Sequence, residues 1–176
     1  MQSVKVVVTG PFDAGKTTFI KAVSEITVLS TERQVSAASG EGSGETTVAM
    51  DFGRITVSDD VVLYLFGTPG QSRFSFMWET LSEGMLGFVL VVDAMEPQTF
   101  EDARQMISFF TEMSDVPFVV AANKVAADDI VRLQQMRADL ELDASAPLLP
   151  VDARDRNSVK AVLLGLLYEI LESMGE

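Results

Sequence analysis

An α/β fold, with a six-stranded, mostly parallel sheet between two layers of helices, is predicted by three observations. Short β-branched runs alternate with apolar stripes of helical period along nearly the whole chain. The run over residues 86–93 is continuously apolar up to Asp93, as a central parallel strand buried on both faces requires. The loop Gly10-Pro11-Phe12-Asp13-Ala14-Gly15-Lys16-Thr17 joins the first run to the first stripe, and such sheets carry their ligands at the strand C-terminal ends.

The elements follow in order. Residues 4–9 are a buried strand, and Thr18 to Val23 have the spacing of a helix. Residues 24–44 turn polar and small, which predicts a long loop of the functional kind. Residues 46–57 alternate as a strand, Ser58-Asp59-Asp60 makes a hairpin turn, and residues 61–66 form the next strand. The breaker-rich segment Gly67 to Phe74 is a loop, followed by a short helix with Met77, Trp78, Leu81 and Met85. After the central strand, Glu96-Pro97 opens a helix with the buried stripe Phe100, Ala103, Ile107, Phe110 and Met113. Residues 116–122 are a strand ending at Asn123-Lys124. A weaker helix covers residues 128–140, and residues 148–151 are a last strand. Asn157 or Ser158 is the expected cap of the final helix, whose stripe is Val159, Val162, Leu163, Leu166, Leu167, Ile170 and Leu171. No repeat or linker divides the chain, so residues 1–176 read as one domain.

The loop at residues 10–17 fits the phosphate-binding pattern G-x-x-x-x-G-K-[ST], in the strand-loop-helix setting that the pattern demands. Gly10 and Gly15 let the backbone curl so that successive N–H groups converge on one anion at a helix start. Lys16 adds a mobile positive charge for the outer phosphates, and the Thr17 hydroxyl suits Mg²⁺.

Composition removes other chemistries. Histidine and cysteine are absent, which excludes disulfides, the usual zinc sites and catalysis by Ser-His or Cys-His pairs. A net charge of −13 disfavours nucleic acid and anionic lipid as partners, so a polyanionic nucleotide must be held by locally arranged donors. No apolar run approaches the ~20 residues of a membrane span. A strand that begins almost at Met1 leaves no room for a signal peptide, and no lipid anchor is expected, since Gln2 follows Met1 and no cysteine ends the chain. A cytoplasmic protein is the expectation, and nothing requires more than a monomer.

Together these segments resemble the small Ras-like GTPases, a P-loop NTPase family, over nearly the whole chain. Residues 10–17 match that family's phosphate loop. Thr47-Val48-Ala49-Met50-Asp51-Phe52 is similar to its first switch, and Gly67-Thr68-Pro69-Gly70-Gln71-Ser72-Arg73-Phe74 to its second. Asn123-Lys124 resembles the base-recognition motif, and Asp152-Ala153-Arg154 the last base-contacting loop. The Thr-Pro-Gly-Gln switch looks most like the prokaryotic polarity GTPases typified by MglA and relatives paired with roadblock-type regulators. The resemblance implies a GTP-binding switch that hydrolyses GTP to GDP and signals to a protein regulator or effector. It implies nucleotide contacts from Gly10, Asp13, Ala14, Gly15, Lys16, Thr17, Thr18, Gly70, Asn123, Lys124, Ala153 and Arg154, and Mg²⁺ ligation by Thr17 and Thr47. Catalysis would fall to Gln71, which orients the attacking water, with Thr47 and Lys16. Gly40 to Gly44 would give the first switch its mobility.

Four departures bear on that expectation. Gly67 stands where the family's second switch begins with an Asp that supports Mg²⁺, and Asp51, Asp93 or a bulk water are the candidates to take over. Ala126 stands where the base motif ends in an Asp, with Asp128 or Asp129 as candidate substitutes. Phe12 is a bulky ring in the part of the loop that faces the γ-phosphate, so it either crowds Gln71 and slows hydrolysis or packs away on the first helix. Arg33, Arg54 and Arg73 lie near the switches without being clearly placed as a finger. Phe74, Phe76, Met77 and Trp78 are either an effector patch or helix packing. Slow hydrolysis is expected, with a nucleotide-locked binding module as the alternative.

Overall fold

The computed structural model describes residues 1–36 and 45–175, with the backbone alone for residues 30–36 and 45–49. Among these the order is β1 (Gln2–Thr9), α1 (Lys16–Val23), β2 (Leu29–Ser36), β3 (Glu45–Ser58), β4 (Val61–Gly67), α2 (Ser75–Ser82), β5 (Gly87–Asp93), α3 (Phe100–Met113), β6 (Phe118–Asn123), α4 (Ile130–Asp139), β7 (Leu148–Val151) and α5 (Arg156–Met174). The strands form one sheet in the order β2-β3-β4-β1-β5-β6-β7. β2 and β3, and β3 and β4, pair antiparallel; every other neighbouring pair is parallel.

The α/β class and the mostly parallel sheet are as the sequence predicts, but the sheet has seven strands rather than six. The added strand is β2, in the segment expected to be loop. It lies at the sheet edge and pairs only with β3. An edge strand needs backbone pairing on one side alone, so the mixed run Leu-Ser-Thr-Glu-Arg-Gln-Val-Ser carries no apolar signature. The Gly40 to Gly44 approach lies outside the described residues.

Strand alternation divides the core between the two faces. Val4, Val6 and Val8 of β1, with Val89 and Val91 of β5, pack with Phe19 and Ile20 of α1 and Val159, Val162 and Leu166 of α5. Val7, Phe88, Leu90 and Val92 point to the other face, where Trp78 of α2, Phe110 of α3 and Met136 of α4 cover them. β5 is buried along its full length for this reason.

The helix stripes shift slightly from expectation. On α3 Met106 is buried, Ile107 is partly covered, and Met113, the last residue of the helix, is exposed. On α5 Leu171 is exposed, and the cap is Asp155, whose carboxylate accepts from Ser158 N at 2.8 Å, rather than Asn157 or Ser158. Met85 lies beyond the end of α2 but is buried against it. Among the described residues no helix is long and apolar enough to cross a membrane.

Candidate nucleotide-binding site

At the C-terminal end of β1 the chain is stitched to β4. Thr68 N donates to Val8 O at 3.0 Å, and the buried Thr68 hydroxyl donates to Thr9 Oγ1 at 2.9 Å. The loop that follows requires its glycines. Gly10 has φ +147°, and a Cβ there would lie 2.1 Å from Val91 O. Gly15 has φ +109°, and its Cβ would lie 2.6 Å from Asn123 Nδ2. Asp13 adopts φ +64° between them. Gly15 then caps α1 without any side-chain hydrogen bond, so the N–H groups of the first turn face the loop's concave side uncapped.

Lys16 Nζ folds back over the loop and donates to Gly10 O and Pro11 O, each at 2.7 Å. Burial pushes its ammonium down to about 8, with Asp51 and then Asp13 opposing that shift. Opposite it, a Cβ on Gly70 would lie 2.7 Å from Lys16 Nζ and 2.5 Å from Phe12 N, so only glycine fits this approach. Trp78 Nε1 donates to Pro69 O at 2.9 Å and fixes the segment on which Gly70 sits. A cavity of about 360 Å³ between Phe12, Lys16, Thr17, Asp51, Gly70, Gln71 and Arg73 is the phosphate side of the site.

Gly67 and Asp51 face each other across the β3–β4 ladder. The Thr17 hydroxyl donates to Asp51 Oδ2, and a Cβ on Gly67 would lie 3.1 Å from Asp51 Cβ and 3.0 Å from Ile20 Cδ1. One carboxylate from β3 therefore occupies the space that a side chain at residue 67 would fill. Asp93, the other candidate, serves a different corner. It accepts from Met95 N at 2.9 Å and from Lys124 Nζ at 2.6 Å.

A second cavity, of about 780 Å³, adjoins the first at Asp13, Gly15 and Thr18. Asn123 is its buried hub: Nδ2 donates to Ala14 O at 3.0 Å, and Oδ1 accepts from Lys124 N at 3.1 Å and Ala153 N at 3.2 Å. The phosphate loop, β6 and the β7–α5 loop are thereby tied together. Lys124 sits at φ +65°, and the hydrogen bond to Asp93 raises its pKa. Ala126, Asp152, Ala153 and Arg154 complete the wall.

The structure thus brings Asp13, Gly15, Lys16, Thr17, Thr18, Gly70, Gln71, Asn123, Lys124, Ala153 and Arg154 around two connected cavities, while Gly10 and Ala14 line neither and are tied to the site by their carbonyls, which accept from Lys16 and Asn123. Thr47 lies in β3, and its side chain is outside the described residues, as is that of Arg33. Arg54 does not reach the phosphate cavity: it stands in β3 beside Tyr64 of β4, with its N–H bonded to Ser24 Oγ at 3.2 Å. Arg73 does line the phosphate cavity, donating to Gln71 Oε1 at 2.7 Å and lying 4.8 Å over the Phe74 ring. Asp129 is not a base-side group; it caps α4 through Arg132 N at 3.1 Å. Phe12 is 66% exposed, so it does not pack away on α1. Phe74 and Trp78 are core, while Phe76 is exposed. Asp152 was expected only as part of the loop Asp152-Ala153-Arg154, with no contact of its own; it lines the base-side cavity, where the bond from Ala153 N to Asn123 Oδ1 holds that loop.

Comparison with known proteins bears on the fold and on nucleotide binding. An uncharacterised protein of Methanocaldococcus jannaschii is 35% identical over 127 residues, 72% of this chain and 73% of its own length. Ras-related protein RABD1 of Arabidopsis thaliana is 26% identical over 74% of this chain, and Ras-related protein Rab-8B of Homo sapiens 24% over 73%. Those alignments cover 66% and 65% of the two Ras-related proteins, just under two thirds. A family model described as conserved hypothetical ATP binding protein matches residues 30–173, from β2 through nearly all of α5. With that match, the chain belongs to the conserved hypothetical ATP-binding protein family, and it is a nucleotide-binding protein of GTPase-like fold.

Proposed function

We propose that residues 1–176 form one small GTPase domain, a switch that holds GTP or GDP with Mg²⁺ and hydrolyses GTP slowly. It passes its nucleotide state to a protein partner. The observation that carries this reading is the loop from Gly10 to Thr17, whose two positive-φ glycines and uncapped helix start lie under the Lys16 ammonium. Donors so arranged suit a chain of phosphates in a protein of net charge −13.

Thr17 and Thr47 would hold Mg²⁺, the role of Thr47 resting on the resemblance alone. The oxygen donors at Thr17 and Asp51 fit a hard cation that keeps most of its waters. When bound, the ion supplies charge neutralisation at the outer phosphates. Asp51 would orient the metal shell from β3 in place of an acid at residue 67. Gln71 would orient the attacking water once its amide leaves Arg73, and Gly70 N–H would meet the terminal phosphate. Loss of that phosphate would release the segments around Thr47 and Gly67 to Phe74, which is how a local event becomes a surface change for a partner. The partner class we favour is a roadblock-type regulator, in the manner of the MglA-like group, acting on a cytoplasmic monomer. Phe12, exposed beside Gln71, supports slow turnover and keeps the nucleotide-locked module as a second reading.

Asn123 and Lys124 favour guanine; the family's description as ATP binding and the methyl at Ala126 favour adenine as the competing base. Denaturing freshly purified protein and identifying the released nucleotide by chromatography tests this. Guanine nucleotide is expected from wild type and little or none from Lys16→Ala. Adenine nucleotide alone would overturn the base assignment, and equal retention by Lys16→Ala would overturn the phosphate site.

A further inference from the structure

The base-side cavity is lined by a carboxylate, Asp152, that belongs to the expected base-contacting loop but to which the resemblance gives no contact of its own. A purine with a 2-amino group presents N–H donors on its outer edge, so a site that selects it must offer an acceptor there. At residue 126 the wall offers only a methyl group. Asn123 Oδ1 already accepts two backbone N–H groups, and Ser158 Oγ accepts Asp152 N at 2.9 Å. The Asp93 carboxylate is held by Lys124 and Met95 N, and Asp129 by Arg132. Asp13 lies at the seam with the phosphate side.

Asp152 is different. Its Oδ1 accepts from Arg154 N and Arg154 Nε, and its Oδ2 from an Arg154 Nη, all at 3.0 Å. A carboxylate has about four acceptor sites, so one on Oδ2 is left over when the other three are engaged by Arg154. The two side chains are 49% and 83% exposed, and the arginine's hydrogen bonds hold the acid ionised. The aspartate is thus fixed in a turn by Arg154, half exposed, and lines the cavity.

We propose that Asp152 is the specificity-determining acceptor of the base site, reading the 2-amino group of guanine in place of an acid at residue 126. This rests on the nucleotide-binding reading above. It makes the β7–α5 loop, rather than the β6–α4 loop, the element that distinguishes guanine from hypoxanthine, which lacks the 2-amino group.

The test is the ratio of GDP to IDP affinity, measured by titration calorimetry on the full chain. Wild type is expected to prefer GDP by about tenfold, the value of one charge-assisted hydrogen bond at the weak end of its range. Asp152→Asn keeps an oxygen for Arg154 N but turns the outer acceptor into a donor, and the ratio should fall to about one. Adding Ala126→Asp to Asp152→Asn should restore the preference, which a merely misfolded variant would not do. A wild-type ratio near one, or an unchanged ratio in Asp152→Asn, overturns the proposal while leaving nucleotide binding intact. If neither nucleotide binds wild type, the proposed function falls and this inference falls with it.

Discussion

The phosphate half and the base half of the site are built by opposite means. On the phosphate side the donors are main-chain groups set by Gly10, Gly15 and Gly70 together with the Lys16 ammonium, and of the carboxylates there, Asp13 and Asp51, the second is 9% exposed and hydrogen-bonded to Thr17. On the base side the groups are side chains on loops, clamped in pairs: Lys124 with Asp93, and Arg154 with Asp152. Each half lacks an acid where the Ras-like pattern has one, at Gly67 and at Ala126. On the reading proposed above, the phosphate half would make up the loss from a paired strand, where register fixes the distance. The base half would have only an exposed ion pair, which solvent weakens. Anchoring would then be the rigid property of this protein, and base selection the adjustable one.

The sharpest way to break that contrast is at Asp51. Asp51→Asn preserves an acceptor for the Thr17 hydroxyl but removes the charge. Partners of this kind are worth roughly 10- to 100-fold in metal affinity. The Mg²⁺ concentration needed to slow nucleotide release should rise by about that factor, while affinity in EDTA stays near wild type. If Asp51→Asn left the Mg²⁺ dependence untouched, the strand-supplied carboxylate would have no metal role. Restoring an acid at residue 67 should help only when Asp51 is made small, since the two side chains compete for one space.

A smaller effect separates the halves by pH. Lys16 titrates near 8 in the folded, nucleotide-free protein against an ordinary value of 10.5. Between those values the unfolded chain binds more protons than the folded one, so stability without nucleotide rises with pH across that window. A bound phosphate chain favours the ammonium and so cancels that slope. Above the folded value, binding takes up a proton, and affinity should fall by up to about tenfold per pH unit. Thermal melts and calorimetry from pH 7.5 to roughly 9.5 test both signs. Lys16→Ala should show neither slope, and a flat affinity profile in wild type would remove Lys16 from the phosphates.

Much of this architecture could be read from the chain, for identifiable reasons. β5 is buried on both faces, so its apolar run is unbroken, and the Gly10 to Thr17 loop carries its backbone geometry in its glycines. β2 was hidden because an edge strand leaves little mark on composition. The pairing of Asp51 with Gly67 was hidden for another reason: sixteen residues apart in sequence, they meet only through the β3–β4 register, which a bulge between Thr56 and Ser58 shifts. Asp155 displaced the expected caps of α5 because the helix begins two or three residues sooner than its apolar stripe suggests. Local patterns specify local geometry; contacts made across a ladder need the ladder.

Phe12 gives the smallest expected effect and the closest test of the rigid half. Its ring is exposed at the phosphate cavity, while its backbone N–H lies against Gly70, so side chain and main chain face different tasks. Shortening the side chain should leave nucleotide affinity almost unchanged, because the donors there are main-chain groups. The ring stands instead where Gln71 must swing when it leaves Arg73. Phe12→Gly, with Phe12→Ala to control for added backbone freedom, should raise the single-turnover hydrolysis rate by about threefold to tenfold, equivalent to roughly 0.6–1.4 kcal/mol of barrier. Equal and fast rates in wild type and both variants would show that the ring does not obstruct Gln71. A matching loss of affinity would show instead that the ring itself takes part in anchoring.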